Sequence, residues 1–387
     1  MISRNLKEKL LQLIELFPIV SVTGPRQSGK TTLVRNTFSH LPYVSLENPD
    51  HMQFAQDDPR KFLANYPEGA VFDEVQRVPE IFSYLQGIVD EEQSKKYVLS
   101  GSQNFLLAEQ ISQSLAGRVG ILKLLPFSMA ELKDAELLDP SFEKVAYTGF
   151  YPRIFDQNIQ PNDFYPNYVQ TYVERDVRQL TQVSNLNTFS TFLKLCAGRA
   201  GQLLNLSELS NDVGISVNTV KSWINILESS YIVFRLYPHY KNFNKRLIKM
   251  PKLYFYDTGL LNYLLGIREY AQIQTHFAKG AIFENLIIAE LFKQKYHSGK
   301  EPNLYFWRDN KGKEIDLLIE HDLQLLIPVE IKSGATKSMS FFEGLKYWNR
   351  LSGNEPENAY VVYGGDEDQL TGHGHLIGWK SFIDHSF

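Results

Sequence analysis

Four residues early in the chain, Gly24, Gly29, Lys30 and Thr31, stand in the order Gly-x-x-x-x-Gly-Lys-Thr. That pattern suits a polyphosphate. The two glycines lack a Cβ, so the backbone of Gly24, Pro25, Arg26, Gln27, Ser28 and Gly29 is free to curl and aim its N–H groups at phosphate oxygens. A helix starting near Lys30 adds its positive end, and includes Thr32 among the residues lining the phosphates. The Lys30 ammonium can reach β- and γ-phosphates, and the Thr31 hydroxyl can hold Mg²⁺. The flanks agree, with an apolar β-branched run, Ile19 to Val22, before the loop and an apolar helical segment from Leu33 after it. Together they make a P-loop.

Downstream, an apolar run ends in two acids, Asp73 and Glu74. After a P-loop, this is the form of a Walker B strand, with Asp73 supporting Mg²⁺ and Glu74 activating the attacking water. A third strand, from Tyr97, breaks into Ser100-Gly101-Ser102-Gln103, where Ser100 and Ser102 are both candidates for sensing the γ-phosphate. Arg118 is read two ways, as an arginine finger or sensor and as a structural ion-pair residue. The acidic and basic residues Glu174, Arg175 and Asp176 are read as a charged helix face or internal ion pairs rather than as a reach toward nucleotide.

Two further sets of residues carry possible chemistry. Glu284 on a helix, Asp316 on a strand and Glu330-x-Lys332 on the next strand follow the order of a PD-(D/E)XK nuclease. There, carboxylates hold Mg²⁺ against a scissile phosphate and the lysine orients water. Side chains two apart on a strand share a face, so Glu330 and Lys332 point the same way. Asp309–Glu320 resembles a calcium loop, but Lys311 and Lys313 stand where oxygen ligands are required. In the middle of the chain, Leu206–Val213, a turn at Gly214 and Val217–Leu227 have the spacing of a helix-turn-helix, with Ser207 as the first cap. Asn218 and Lys221 face outward on the second helix. Ile232–Tyr240 reads as wing strands, followed by a basic stretch with Lys241, Lys245, Arg246, Lys249 and Lys252. Such a stretch fits double-stranded DNA, and equally a packing module beside an ATPase.

Stepping from these residues to the elements that must hold them gives an α/β fold class. Strands alternating with helices predict a parallel sheet of P-loop NTPase type, with phosphates at the carboxyl ends of its strands. A winged-helix connector and a small α/β, restriction-nuclease-like C-terminal domain follow. The expected division is 1–135, 136–202 (a helical connector), 203–258 and 259–387. A chain of 387 residues supports two or three cores. Net charge is −4, so any nucleic-acid contact must be local. Cys196 stands alone, excluding an intramolecular disulfide and a cysteine zinc site, and its apolar setting predicts burial. No apolar run of about eighteen residues and no signal peptide occur, which predicts a cytoplasmic chain without a membrane partner.

The stretches TGPRQSGKTTL, VFDEVQRVP, LSGSQNFLL, KLYFYDTGLLNYLLG, FENLIIAEL, YFWRDNKGKEIDLLIE and VEIKSGAT, in this order, resemble prokaryotic AAA-type ATPases carrying a C-terminal domain of uncharacterised function. The resemblance runs to about residue 335. It implies ATP and Mg²⁺ as ligands, an ATP hydrolase activity, and a family in which a threonine commonly begins the sensor segment. The functional expectation is an ATP-controlled, DNA-associated switch, with an ATP-dependent nuclease and a nucleotide-controlled protein–protein module as alternatives. A homo-oligomer and a monomer both suit these residues.

Overall fold

The computed structural model describes residues 2–92, 94–102, 114–173, 186–240, 248–321 and 325–385. Its first sheet has five strands, β1 (Ile19–Thr23), β2 (Tyr43–Ser45), β3 (Gly69–Asp73), β4 (Lys96–Gly101) and β5 (Val119–Lys123), in the order β2-β3-β4-β1-β5. Every pairing is parallel. Parallel strands need covered faces, and the sequence supplies them by alternation. Ile19, Phe72, Tyr97 and Leu99 pack into one cluster, while Val20, Val22, Val71 and Val98 pack into another with helix Leu6–Leu16 and helix Lys30–Thr37. Pairing of Thr23 with Gly101 and of Asp73 with Ser100 brings the three polar strand ends to one edge.

Helices Phe142–Thr148, Pro152–Asp156 and Pro161–Tyr168 lead to helix Leu186–Gly198, in which Cys196 is buried as expected. Helices Leu206–Val213 and Val217–Ser229 then form the helix-turn-helix, with Gly214 at φ 76° in the turn. The first cap differs from expectation. The Asn205 side chain, not that of Ser207, accepts from the amides of Ser207 and Glu208. Ser216 caps the second helix through the Thr219 amide.

The strands that follow do not stand as a separate wing. β6 (Val233–Pro238) and β7 (Lys252–Phe255) are an antiparallel pair at one end of an eight-stranded sheet. The remaining strands are β8 (Leu304–Arg308), β9 (Glu314–Glu320), β10 (Leu326–Lys332), β11 (Tyr360–Tyr363), β12 (Gln369–Thr371) and β13 (Gly374–Gly378), ordered β12-β13-β11-β10-β9-β8-β6-β7. β8, β9 and β10 run antiparallel, and β10 pairs in parallel with β11 after the crossover helix Glu343–Ser352. The outer rim of β7 is satisfied by the backbone of Gly201 and Gln202 at Leu253, and by a side-chain amide at Phe255. Asn285 accepts from Phe255 N and donates to Phe255 O, both at 2.8 Å, and so supplies the partner another strand would give.

One apolar cluster runs from Leu125 to Ile383, joining the middle helices, the helix-turn-helix and one face of the large sheet beneath helix Lys279–His297. Leu318, Leu326, Val361 and Tyr363 turn to the opposite face, against Leu345 and Trp348. Among the described residues, no helix is long and apolar enough to cross a membrane.

Candidate functional site

The phosphate loop begins where β1 ends. Gly24 has φ 155°, and a Cβ there would meet the Leu124 carbonyl oxygen at 2.0 Å, so no larger residue fits. Gly29 sits at φ 91°, left-handed backbone that favours glycine, and caps helix Lys30–Thr37. Lys30 is buried and folds back over the loop, donating to the carbonyls of Gly24 (3.0 Å) and Pro25 (2.7 Å). A cradle closed to side chains, a helix N-terminus and a resident ammonium together fit a polyphosphate.

Both acids expected of the second motif meet this loop. Asp73 accepts from Thr31 Oγ1 at 2.8 Å, Tyr43 OH at 2.7 Å, Ser100 Oγ at 2.5 Å and the Glu74 amide at 3.1 Å. Burial, and then the bond to Asp73, push the Tyr43 phenol up, which keeps it a donor. Glu74 takes left-handed backbone, φ 55°, and accepts from Gln76 Nε2 at 2.6 Å and Ser102 Oγ at 3.3 Å. The two candidate serines thus divide the work: Ser100 holds Asp73, and Ser102 holds Glu74. Thr31 and Asp73 supply the hard oxygen donors that Mg²⁺ takes.

A cleft of about 470 Å³ opens here, lined by Arg26, Gln27, Thr31, Thr32, Glu74 and Ser102 on one side. Its opposite wall comes from helix Pro152–Asp156 and carries Arg153, whose Nε donates to Gln157 Oε1 at 2.9 Å. Nothing in the spacing of the sequence pointed to Arg153; it lies about 120 residues beyond the loop and arrives by tertiary packing. A second cavity, of about 280 Å³, shares Gly29, Thr32, Pro152 and Asp156 with the cleft and is walled by Ile2, Leu33 and Phe127. Thr37 also lines it, its hydroxyl buried and without a hydrogen-bond partner.

Arg118 is elsewhere, and the expectation that it could serve its own phosphate site is corrected. It immediately precedes β5, at the amino ends of the strands, and forms a two-point pair with Asp90 at 2.6 and 2.8 Å. A parallel strand of this length separates it from the phosphate edge by roughly 16 Å. Its ion-pair reading is the one the geometry matches.

The C-terminal acids also converge. Lys332 Nζ donates to Glu330 Oε2 at 2.5 Å and to Asp316 Oδ2 at 3.3 Å, and Asp316 accepts from the Ile331 amide at 2.8 Å. Glu284 accepts from Tyr254 OH at 2.5 Å and from Lys252 Nζ at 3.0 Å. Lys252 reaches Glu314 as well, at 2.6 Å. Burial, then the neighbouring Asp316, push Glu330 up to about 8. Burial also raises Glu284, against the pull of Lys252. For Asp316 burial works in the same direction, but Lys332, Lys252 and the Ile331 amide outweigh it and hold the carboxyl low. Lys252, Tyr254 and Glu314 were not anticipated here. The basic stretch had counted Lys252 among its charges, yet it is 3% exposed and committed to two carboxylates. Among the described residues, no group of three or more His, Cys, Asp or Glu is arranged to hold a metal ion.

On the helix-turn-helix, Asn218 and Lys221 are exposed, opposite buried Val220, Trp223 and Leu227. Acidic groups lie close, with Asp212 paired to Arg199 and Glu228 to Arg235. Lys241, Lys245 and Arg246, like Glu174, Arg175 and Asp176, lie outside the described residues.

Three families match successive parts of the chain: an AAA domain over residues 16–133, and domains of unknown function over residues 139–271 (DUF8612) and 279–382 (DUF4143). The first therefore places a P-loop ATPase domain around the loop and its acids. The uncharacterized protein Rv2008c of Mycobacterium tuberculosis is 30% identical over 324 residues, covering 82% of this chain and 71% of that protein. The uncharacterized protein MJ1544 of Methanocaldococcus jannaschii is 23% identical over 350 residues, with 82% and 76% covered. Among solved structures, the Walker-type ATPase PABY2304 of Pyrococcus abyssi aligns with a TM-score of 0.46 at 14% identity, covering 68% of this chain and 96% of that one. The AMPPCP-bound DnaA from Aquifex aeolicus aligns with a TM-score of 0.31 at 14% identity, covering 58% and 85%.

Proposed function

The chain belongs to the family of uncharacterized AAA-domain proteins that includes Rv2008c of Mycobacterium tuberculosis, and on that footing we propose that it is a Mg²⁺-dependent ATPase. The observation that carries this reading is the meeting of Thr31, Asp73, Glu74 and the two serines beside a loop that admits no side chain at Gly24. The amides between Gly24 and Thr32 take the phosphates. Lys30 exchanges two backbone carbonyls for phosphate oxygens, a stronger, charge-assisted contact. Thr31 and Asp73 would hold Mg²⁺, which supplies positive charge at the phosphate oxygens. Glu74, kept in place by Gln76 and Ser102, accepts the proton of the attacking water. Arg153 offers charge from the facing wall, and the cavity behind Thr32 takes the nucleoside. Lys30→Ala should abolish ATP binding, whereas Glu74→Gln should bind ATP and turn it over roughly 100-fold or more slowly. Retained turnover in both variants overturns the assignment.

The division at 135, 202 and 258 remains part of this reading, with the last two units joined through one sheet. For them the function is an ATP-controlled switch that engages DNA through Asn218, Lys221 and the basic stretch. The nuclease-like alternative draws support from the succession helix, β8-β9-β10, helix, β11 and from the four gathered residues. The buried Lys252 favours a unit that binds rather than cuts. Plasmid incubated with Mg²⁺ and ATP, beside an Asp316→Ala control, separates the cases: cleavage lost in the control supports the nuclease, and ATP-modulated binding without cleavage the switch.

A further inference from the structure

Arg4 lies just before the first helix and beneath the phosphate loop, buried but for an edge on the cavity behind Thr32. A guanidinium keeps its charge at any relevant pH, so burial demands that its donors be satisfied. Nε donates to Glu131 Oε1 at 3.0 Å, Nη1 to the Ser28 carbonyl at 2.6 Å and Nη2 to the Leu125 carbonyl at 2.6 Å. Nη2 also stands 3.4 Å from His297 Nε2, at the end of helix Lys279–His297, and His297 Nδ1 stands 3.4 Å from Glu131 Oε2. Because Arg4 can only donate, Nε2 is the acceptor and the imidazole proton lies on Nδ1, near Glu131 but not aligned for a hydrogen bond with it. Burial lowers the imidazole pKa, in keeping with a neutral ring.

The bond to Ser28 has a geometric consequence. In a planar trans peptide, the carbonyl and the following N–H point in opposite directions. Holding the Ser28 oxygen down onto Arg4 therefore turns the Gly29 N–H away from Arg4 and into the phosphate cradle. The same guanidinium touches, through Glu131 and His297, a helix that covers the C-terminal sheet. We propose that Arg4 is a positioning residue for the phosphate loop, and that the Arg4–Glu131–His297 chain couples nucleotide occupancy to the C-terminal α/β unit. This rests on the ATP-binding reading above.

Arg4→Lys keeps the charge but cannot span three acceptors, whose directions suit a planar fork. Lost hydrogen bonds of a charged group correspond to roughly tenfold or more in affinity. The Kd of a fluorescent ATP analogue and the KM for ATP should rise by at least about that factor, while kcat falls less. Hydrogen exchange at residues 290–297 should slow on adding ATP to the wild-type chain, and His297→Phe should abolish that response while the analogue still binds. Wild-type affinity and KM in Arg4→Lys, or identical exchange at 290–297 with and without ATP, overturns the inference. If Arg4→Lys does not fold, judged by its melt without nucleotide, the wild-type exchange experiment decides. Failure of the wild-type chain to bind ATP overturns the earlier reading and this one together, whereas ATP binding indifferent to Arg4→Lys overturns only this one.

Discussion

Two acidic sites in this molecule use the same residue types to opposite ends. At the phosphate loop, Asp73 and Glu74 are held by neutral donors: hydroxyls of Thr31, Tyr43, Ser100 and Ser102, the Gln76 amide and a backbone N–H. Lys30 donates to the carbonyls of Gly24 and Pro25. In the C-terminal cluster, ammonium groups sit on the acids themselves, Lys252 on Glu284 and Glu314 and Lys332 on Asp316, with Glu330 beside it kept protonated by burial up to about pH 8. Neutral donors fix a carboxylate's direction and leave its charge for an arriving cation. Ammonium partners fix direction and consume the charge. Composition alone does not separate the two; the partner does.

The contrast can be broken at its centre by removing each lysine. Lys252→Met leaves two carboxylates without their buried counter-ion and should cost about 3–5 kcal/mol of stability, read by urea denaturation. Lys30→Met should move the urea midpoint less, because a neutral carbonyl left without its donor costs less than a buried carboxylate left without its counter-ion. Equal losses would erase the distinction.

Metal dependence should divide the sites next. Asp73→Asn should raise the Mg²⁺ needed for half-maximal ATP turnover by roughly tenfold, the scale of one weakened charge-assisted contact. Asp316→Asn should leave that titration in place. A shift in the second variant would place the two clusters in one catalytic unit.

A finer distinction lies in pH. Glu330 has its folded pKa raised to about 8, well above an ordinary carboxyl, so between about pH 4.5 and 8 the folded state holds a proton the unfolded chain has released. The stability this group provides is full below about pH 4.5 and declines as pH rises through 8. Glu330→Gln should flatten the fall in melting temperature across that window; an unchanged slope would assign it to other groups.

Arg118→Ala should do least. Its pair with Asp90 is exposed and remote from the loop, so ATP turnover and the melting temperature should both stay within error. A large loss of turnover in the assembled protein would mean that Arg118 serves a neighbouring copy.

The legible parts of the sequence were the local ones. A loop with glycines at fixed offsets, or a strand closing on two acids, carries its geometry within about ten residues, so Gly24–Thr32 and Asp73–Glu74 could be placed directly. Ser100 and Ser102 were found, but not which acid each would hold, because that depends on the register of β4 beside β3. Arg4 and Arg153 were missed. Each reaches the loop through packing across long sequence separations, and neither belongs to a periodic pattern. Lys252 was counted with the basic stretch because a lysine there reads as solvated until a sheet buries it. The turn of the helix-turn-helix was legible from Gly214, but the destination of the following hairpin was not, since pairing between β6 and β8 joins residues nearly seventy positions apart.

That hairpin bears on how the chain could be cut. β6 lies between β7 and β8, with Tyr237 beside Tyr305 and Pro238 beside Phe306. A fragment ending after β7 would strip β6 of a neighbour and uncover the apolar residues that helix Lys279–His297 now shelters, an adhesive rim of the kind that seeds aggregation. The helix-turn-helix and the large sheet are thus bound to be expressed as one piece.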